Sequence, residues 1–286
     1  MKGFFLIDKE SGVTSFDAVR DIRRLTGVKK VGHSGTLDPL ATGLLLVAVG
    51  EGTKLLEFLI GCTKEYEVVG RFGFKSDTYD AEGEIEEVSS KVLSRDEIEA
   101  AIKANFVGEI EQIPPKYSAL KIGGKRAADI MRAGGDVEMK ARKLFISDFE
   151  VLEFDWPVVK FKVSCSSGTY IRSLIHDLGE LLEVAAYVEE LRRSKIGNFS
   201  LTDAVKIDVL SKNLEQNLVS MENLAKSFAV CELFDADYQG LKDGKILLGK
   251  KIEQGVPVMA FYKDKLVGVL EVSGGGDGVK YKKMIF

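Results

Sequence analysis

The sequence predicts an α+β fold, in which a mixed, largely antiparallel sheet with flanking helices is followed by a small all-β domain. Within residues 1–228, short apolar or alternating runs typical of strands are interspersed with longer segments whose apolar residues recur at the helical period of 3.6. After Cys231 the pattern changes to strand and turn signals. With 286 residues, 45% of them hydrophobic, the chain is long enough for two cores. We therefore expect one domain over residues 1–228 and a second over 229–286.

The elements of the larger domain follow from these two periodicities. The expected strands are Gly3–Asp8, Leu44–Val49, Lys64–Gly73, 143–152 and 158–166. The expected helices are 14–27, 94–108, 169–182 and 185–193, with loosely amphipathic helices between 202 and 228.

Capping patterns fix where two of these helices begin. Thr14 with Asp17, and Ser94 with Glu97, have the spacing of a capping box. The inner face expected for the first helix is formed by Phe16, Val19 and Ile22. Gly27 and Gly108 are the expected stops, because glycine adopts the left-handed conformation common at helix ends.

The C-terminal region has the pattern of a β-hairpin followed by another strand. Pro257–Tyr262 and Leu266–Val272 are the two arms, with a turn at Lys263 and Asp264, and Lys280–Ile285 is the last strand. We therefore expect the small domain to consist of strands.

Several protein classes are disfavoured by simple counts. The longest apolar run, Leu44–Val49, has six residues, whereas a membrane span needs about 20. Charge appears at Asp8, too early for a secretory signal, so we expect a cytoplasmic protein. Three widely spaced cysteines without a C-x-x-C pair, and two histidines far apart, indicate neither a disulfide framework nor a metal site.

Charge is segregated along the chain. The net charge is −4, which argues against a non-specific nucleic-acid coat. Residues 77–111 contain 11 acids and 3 bases, whereas residues 116–143 contain 8 bases and 3 acids. The basic segment has two interpretations, a solvated loop face or a selective contact with a polyanion.

A glycine-rich segment precedes the strand at Leu44. Residues 32–43, GHSGTLDPLATG, contain three glycines, a histidine and an acid. Pro39 restricts Asp38 to an extended conformation, so that a constrained backbone presents its carboxylate. The alternative is a turn in which Asp38 only caps neighbouring backbone groups.

Arg172 and Tyr66 stand out less strongly on their own. Arg172 lies in the first turn of the helix over 169–182, where a cation opposes the helix dipole. A neighbouring anion would offset this, either a carboxylate, for which Asp38 is the natural candidate, or a nucleic-acid phosphate. Such a pair would favour ionised Asp38. The alternatives are an exposed arginine at a helix start and, for Tyr66, an aromatic residue that only packs in the core of a sheet.

Four motifs together resemble one family. They are GHSGTLDPLATG at 32–43, KEY at 64–66, IPPKYSALKIGGKRA at 113–127 and SGTYIRSLIHDLG at 167–179. In order and composition they are similar to the bacterial tRNA pseudouridine synthase B (TruB) family. This resemblance implies a pseudouridine synthase fold and the isomerisation of uridine 55 in the TΨC loop of tRNA to pseudouridine.

The resemblance also implies roles for individual residues. Asp38 corresponds to the catalytic aspartate, Tyr66 to the residue that packs on the target base, and Arg172 to the partner of Asp38. His33, Tyr170 and Leu191 match substrate-contacting positions. The segment 114–143 corresponds to an inserted loop that closes over the RNA. The expected RNA-backbone contacts are Lys64, in the KEY motif, and Lys116, Lys121, Lys125 and Arg126, in this segment.

The same reasoning sets the expected cofactors and partners. Moving uracil from an N–C to a C–C glycosidic bond is redox-neutral, so no cofactor is expected. The resemblance also separates two branches of related enzymes. The guide-RNA-dependent branch resembles GTLDP followed by Lys-Val-Thr-Gly, whereas this chain has Leu40, Ala41, Thr42 and Gly43 there and carries the basic insertion. The resemblance therefore implies a stand-alone enzyme that binds the T-arm of tRNA, without guide RNA or an obligatory protein partner. Residues 229–286 are similar to an RNA-binding PUA domain, the alternative being a simple β cap.

Two rival functions and two departures from the family accompany this prediction. The rivals are an RNA-binding or RNA-folding protein without turnover, and a glycoside-cleaving enzyme, which would need a second carboxylate that no motif provides. The departures are Glu10, where the family usually has proline, and Ser167, where it often has lysine. They place a local turn and one cationic contact in doubt.

Overall fold

The structure is a computed structural model that describes residues 1–250, 252–274 and 278–285. Its first thirteen strands are β1 (Gly3–Lys9), β2 (Val31–His33), β3 (Thr42–Val49), β4 (Lys64–Phe72), β5 (Phe74–Ser76), β6 (Ile85–Glu87), β7 (Gly108–Gln112), β8 (Lys121–Ile122), β9 (Lys125–Arg126), β10 (Arg142–Asp155), β11 (Val158–Cys165), β12 (Ala186–Ile196) and β13 (Phe199–Ser200). The helices are α1 (Ser15–Thr26), α2 (Leu56–Gly61), α3 (Arg95–Asn105), α4 (Ala127–Arg132), α5 (Ile171–Leu181), α6 (Ile207–Leu210), α7 (Met221–Ala225) and α8 (Asp235–Lys242).

The larger domain is built on one mixed sheet, as the sequence predicts. Its strands run in the order β1-β3-β12-β4-β11-β10-β7, with β2 beside β3 and β13 beside β12. The β3–β12 pair is parallel and the other pairs are antiparallel. Alternate residues of β1 enter different cores: Phe5 and Ile7 pack with α1 and α5, whereas Phe4 and Leu6 pack with α2 and α7. Both faces of the sheet are therefore covered.

The central strand β12 is where the sequence prediction was wrong. Residues 185–193 were expected to form a helix, but Ala186–Ile196 is a strand that pairs with β3 and β4. The register against β4 shifts twice, between Val188 and Glu190 and between Arg193 and Lys195. Between Val188 and Ile196 the buried positions are therefore two or three residues apart, which imitates a helical period. The strand therefore presents Leu191 and Arg193 from the middle of the sheet.

The predicted starts of α1 and α3 are confirmed, whereas the predicted buried face of α1 is partly wrong. Thr14 and Ser94 each form the expected capping box, and Gly27 ends α1 with φ 68°. Phe16, however, is 60% exposed, and Ala18 takes a place in the core beside Val19. The buried residues of α1 are Ser15, Ala18, Val19 and Ile22, so Phe16 lies outside this face, with its ring centroid 5.8 Å from the guanidinium carbon of Arg23. Residues 202–228 form only short helices and turns.

The C-terminal region forms a separate five-stranded sheet among the described residues, in the order β14-β16-β17-β18-β15. Its strands are β14 (Ala229–Glu232), β15 (Leu247–Leu248), β16 (Val258–Tyr262), β17 (Lys265–Val272) and β18 (Gly278–Met284). The predicted hairpin turn is confirmed, because Lys263 and Asp264 have φ 49° and 61°, as a tight two-residue turn requires. The predicted small β domain is confirmed, and it also contains one helix, α8, between β14 and β15.

The two sheets share apolar contacts. Met259 and Phe261 of the C-terminal sheet belong to the same buried cluster as Leu224 and Phe4 of the larger domain. This packing fixes the C-terminal sheet against the face of the large sheet that α2 and α7 cover. In the described parts of the chain, no helix has the length and apolar character needed to cross a membrane.

Candidate active site

Asp38 lies in the loop between β2 and β3, and the backbone on both sides of it is clamped. The hydroxyl of Ser15 donates to Leu37 O (3.1 Å) and accepts from Leu37 N (2.8 Å). On the other side, Pro39 O accepts from Gly12 N at 2.9 Å and from the ammonium of Lys9 at 3.2 Å. The loop is therefore held by α1 and by the end of β1. Its geometry does not depend on Asp38 itself.

Lys9 explains how the chain tolerates Glu10. The buried Lys9 ammonium also donates to Glu10 O (2.9 Å) and Val13 O (2.7 Å), and burial lowers its pKa to about 8. The Glu10 side chain turns outward and pairs with Lys206 at 2.8 Å. The local turn is thus closed by backbone carbonyls around Lys9, with a charged residue where proline was expected.

Arg172 joins three separate segments at Asp38. It is the second residue of α5 and its side chain is 6% exposed. Its Nε lies 3.0 Å from Asp38 Oδ2, which confirms the position expected for the ion pair, although the N–H is not aligned as a hydrogen bond. Its Nη1 lies 3.0 Å from Asp80 Oδ2 and donates to Thr78 O at 2.9 Å, and Nη2 donates to Tyr117 O at 2.9 Å. Two carboxylates therefore offset a cation that opposes the helix dipole.

Asp80 is the main site residue that the sequence reasoning missed. It belongs to the acidic segment 77–111, and its side chain is 2% exposed. Its carboxylate also accepts from the hydroxyl of Thr78 at 2.6 Å. Asp80 does not line the cavity in front of Asp38 that is described below, so it is not placed there as the second, substrate-facing acid of a glycosidase.

The electrostatics of Asp38 differ from the simple expectation. The sequence reasoning considered only a cation, which favours the ionised carboxylate. Burial, however, raises the pKa of Asp38 above its ordinary 3.8, and the charge of Asp80 raises it further. Arg172 and Lys9 act in the opposite direction. Although 37% of the side chain faces the cavity, the surrounding protein shields it from bulk water, and the net direction is upward.

A cavity of about 320 Å³ opens in front of Asp38 and collects most of the predicted site residues. Asp38, Tyr66, Tyr170, Arg172 and Leu191 all contribute to its wall. The volume suits a small planar group such as a nucleobase. A larger cavity of about 960 Å³ lies between α2 and the C-terminal sheet, but its lining contains none of these residues. The chemistry of the lining, and not the size, identifies the candidate site.

Tyr66 and Leu191 come from neighbouring strands. Tyr66 on β4 is opposite Arg193 on β12, two residues after Leu191. Tyr66 is 8% exposed, and burial raises the pKa of its phenol, so the ring is neutral. The buried Arg193 donates through Nε to Leu44 O (2.7 Å) and through Nη2 to Gly35 O (3.1 Å). Arg193 thus ties the glycine-rich loop and β3 to β12, the strand that pairs with the Tyr66 strand β4.

His33 and Tyr170 are placed by specific hydrogen bonds. The Nδ1 atom of His33 accepts from Gly35 N at 3.2 Å, and burial followed by the charge of Arg193 lowers the pKa of the imidazole. His33 does not line the cavity. Tyr170 precedes α5, and its backbone N and O pair with the amide of Gln112 at 2.8 and 3.0 Å.

The predicted RNA-backbone cations fall into two groups. Lys64 lines the cavity wall but is buried, with its ammonium donating to Ile60 O and Cys62 O at the end of α2, and burial lowers its pKa to about 8. The Lys64 ammonium is therefore not exposed to solvent, although a contact with a phosphate of the RNA backbone would require this. Lys121, Lys125 and Arg126 are exposed on the β8–β9 hairpin. Lys116 is also exposed but pairs with Asp136 at 2.7 Å.

A second cavity lies on the other side of the Asp38–Arg172 pair. Its wall includes Asp80 and Glu82, and burial together with the charges of Asp80 and Asp38 raises the pKa of Glu82. In the part of the chain that the structure describes, no group of three or more His, Cys, Asp or Glu side chains is arranged to hold a metal ion.

Comparisons with known proteins agree with this geometry. Residues 23–171 match the family model for the N-terminal domain of the TruB family pseudouridylate synthases, and residues 172–233 match the model for the C-terminal domain of tRNA pseudouridylate synthase B. Relatives named tRNA pseudouridine synthase B include a Clostridium tetani protein, 39% identical over 94% of this chain and 95% of that protein. Another, from Clostridium novyi, is 42% identical over 78% of this chain and 77% of that protein.

Solved structures show the same fold. A chain of a Cbf5–Nop10–Gar1 complex has a TM-score of 0.76 and 26% identity, covering 99% of this chain and 85% of that chain. A chain of an H/ACA RNP bound to a substrate RNA containing 2′-deoxyuridine also has a TM-score of 0.76, with 24% identity and the same coverage.

Proposed function

This chain belongs to the TruB family of pseudouridylate synthases, and we propose that it converts uridine 55 in the TΨC loop of tRNA to pseudouridine with Asp38 as the catalytic aspartate. Its relatives are named tRNA pseudouridine synthase B at about 40% identity over most of the chain, so its activity is that of a tRNA pseudouridine synthase, an isomerase. The observation that carries the role of Asp38 is its position. It is a clamped, cavity-facing carboxylate in ionic contact with a buried arginine.

The reaction requires the target base to leave its stack. The cavity in front of Asp38 accommodates a flipped uracil, and the neutral ring of Tyr66 provides a surface on which the base stacks. Stacking of this kind contributes about 1–3 kcal/mol per base. Leu191 and Tyr170 close the remaining sides. The energy of unstacking is offset in part by these contacts.

Asp38 then performs the chemistry on the flipped nucleotide. It attacks the ribose, attacks the uracil ring or removes a ribose proton, after which the detached base rotates and rejoins through C5. All three routes require an ionised carboxylate. A carboxylate that is shielded from bulk water, with a raised pKa, is also a stronger base or nucleophile than an exposed one, and Arg172 keeps it oriented.

Binding of the RNA backbone falls to the basic insertion. The hairpin of β8 and β9 carries exposed cations, and the preceding Tyr117 contacts Arg172 through its carbonyl. We propose that residues 114–143 hold the T-arm over the cavity and that residues 229–286 act as a PUA-like RNA-binding domain behind residues 1–228. The substrate is then tRNA in the cytoplasm, recognised without guide RNA or an obligatory protein partner.

Release of tritium from uracil C5 tests this function directly. Unmodified tRNA transcript labelled at C5 should lose tritium when incubated with the protein, because C5 exchanges its hydrogen for the new glycosidic bond. We expect release from the wild type and none from Asp38→Asn, whose fold should be intact because the loop is clamped by Ser15 and Lys9. Tight tRNA binding without any release would instead support an RNA-binding protein without turnover.

A further inference from the structure

Two aromatic side chains outside the cavity lie on the residues that orient Arg172. The rings of Tyr79 and His176 are stacked, with centroids 3.8 Å apart and planes 8° from parallel. His176 follows Arg172 by four residues on α5, so both side chains lie on the same side of the helix. Tyr79 lies between Thr78 and Asp80, whose carbonyl and carboxylate both contact Arg172. Residues 78–80 of the loop thus contact two adjacent turns of α5, at Arg172 and at His176.

The backbone of this loop is held in an unfavourable conformation. Tyr79 has φ 65°, in the left-handed region that residues other than glycine seldom adopt. Its carbonyl accepts from Val188 N at 3.0 Å, and the carbonyl of Asp80 accepts from the hydroxyl of Ser76 at 2.6 Å. The left-handed residue directs the next side chain, Asp80, back towards α5. A contact that holds the Tyr79 ring therefore also fixes the direction of Asp80.

The two stacked rings are uncharged and lie outside the cavity. Burial raises the pKa of the Tyr79 phenol and lowers the pKa of the His176 imidazole, so both rings are neutral near pH 7. Two neutral rings stack without placing a further charge beside Arg172. Neither ring lines the cavity in front of Asp38. Neither is therefore placed to touch the flipped base.

We propose that the Tyr79–His176 stack is a positioning pair for the reaction at Asp38. It holds the loop so that Thr78 and Asp80 keep the guanidinium of Arg172 directed at Asp38. The inference rests on the proposed function, because the geometry that it maintains matters only if Asp38 and Arg172 act on the substrate. Loss of either ring loosens Arg172 and slows the chemical step, while the surface that binds tRNA stays in place.

The test is a comparison of kcat and KM by tritium release, together with the unfolding temperature, in paired variants. His176→Ala removes the stack and His176→Phe keeps a flat ring, and Tyr79→Leu and Tyr79→Phe form the same pair on the loop. We expect the two variants without a stack to lower kcat by about threefold to tenfold, the range expected from an aromatic pair, with KM little changed. The two phenylalanine variants should keep kcat within about twofold of the wild type.

Coupling between the two positions separates positioning from independent damage. The double variant His176→Ala with Tyr79→Leu should be no slower than the slower single variant, because either change already removes the stack. Phe154→Leu is the control. It removes the contact between Phe154 and Trp156, whose ring centroids are 6.4 Å apart and which do not line the cavity in front of Asp38, and it should leave kcat unchanged.

Several results would overturn the inference. One is a wild-type kcat in both His176→Ala and Tyr79→Leu, and another is a double variant whose loss is the product of the single losses. A third is failure of phenylalanine to preserve activity. If His176→Ala does not fold, the comparison of Tyr79→Leu with Tyr79→Phe tests the inference by itself. Absence of release from the wild type would overturn the proposed function together with this inference, whereas an active wild type with unaffected variants overturns the inference only.

Discussion

Replacing Asp80 by asparagine removes one of the two carboxylates that contact Arg172 and keeps the shape of the side chain. Asp80 Oδ2 lies 3.0 Å from Arg172 Nη1, in a site where its side chain is 2% exposed. A hydrogen bond to a charged group contributes about 1.5–3 kcal/mol. Because asparagine keeps an oxygen beside Arg172 Nη1, we take the lower end, about 1.5 kcal/mol, which corresponds to a kcat about tenfold lower.

The same substitution should change the pH dependence in a defined direction. The wild-type carboxylate of Asp38 must be ionised, so activity rises as the pH increases through its raised pKa. The charge of Asp80 is one cause of that elevation. Its removal lowers the pKa of Asp38, and the acidic limb of the kcat profile should move to lower pH even as the maximum falls.

Single-turnover tritium release at saturating enzyme, measured across the acidic limb, gives both quantities. Glu86→Gln is the matched control, because Glu86 is an exposed acid nearby that pairs with Lys75 at 2.8 Å. It should leave the maximum and the limb unchanged. A folded Asp80→Asn variant with wild-type kcat would refute the argument that Asp80 orients Arg172. A limb that moves to higher pH would refute the electrostatic part.

Three further predictions concern the RNA interface, the base and stability. Changing Lys121, Lys125 and Arg126 to glutamine should weaken tRNA binding. Binding titrations at several salt concentrations should show that the slope of log K against log salt falls in magnitude by about 0.7–0.9 for each phosphate that is no longer neutralised. An unchanged slope would show that the hairpin is not part of the interface. Tyr66→Phe should bind tRNA nearly as the wild type does and Tyr66→Ala more weakly in filter binding, because only the former keeps a stacking ring; equal binding by both would contradict base stacking. The folded state raises the pKa of Asp38, so ionisation of this carboxyl lowers the free energy of unfolding as the pH rises above about 4. The asparagine in Asp38→Asn cannot ionise. The wild type should therefore lose stability relative to Asp38→Asn between about pH 4 and pH 7. Denaturant unfolding at several pH values measures this difference, and a difference independent of pH would contradict the assigned direction.

Local sequence features predicted the parts of the site that depend on local structure. The glycine-rich segment with Asp38 before Pro39 indicated a constrained carboxylate, and it lies in a clamped loop. The cation in the first turn of α5 indicated a missing anion, and Arg172 contacts Asp38. In both cases the signal was a conflict with ordinary local preferences that only a tertiary partner resolves.

The residues that the sequence reasoning missed depend on contacts far apart in the chain. Asp80 lies in an acidic run that has the composition of a solvated surface, and only the fold brings it beside Arg172, 92 residues later. Leu191 was expected on a helix, because two irregularities in β12 space its buried residues like a helical face. Lys64 was expected to contact the RNA backbone, but the carbonyl groups at the end of α2 hold its ammonium.

The proposed role of Asp38 is the isomerisation of one uridine of the T-loop. The decisive experiment maps pseudouridine in unmodified tRNA transcript after incubation with the wild type or with Asp38→Asn, using carbodiimide modification and primer extension. We expect a single strong stop that reports position 55 with the wild type and no stop with Asp38→Asn. Pseudouridine at another position would contradict the substrate site, and a stop at position 55 with Asp38→Asn would contradict the catalytic role of Asp38.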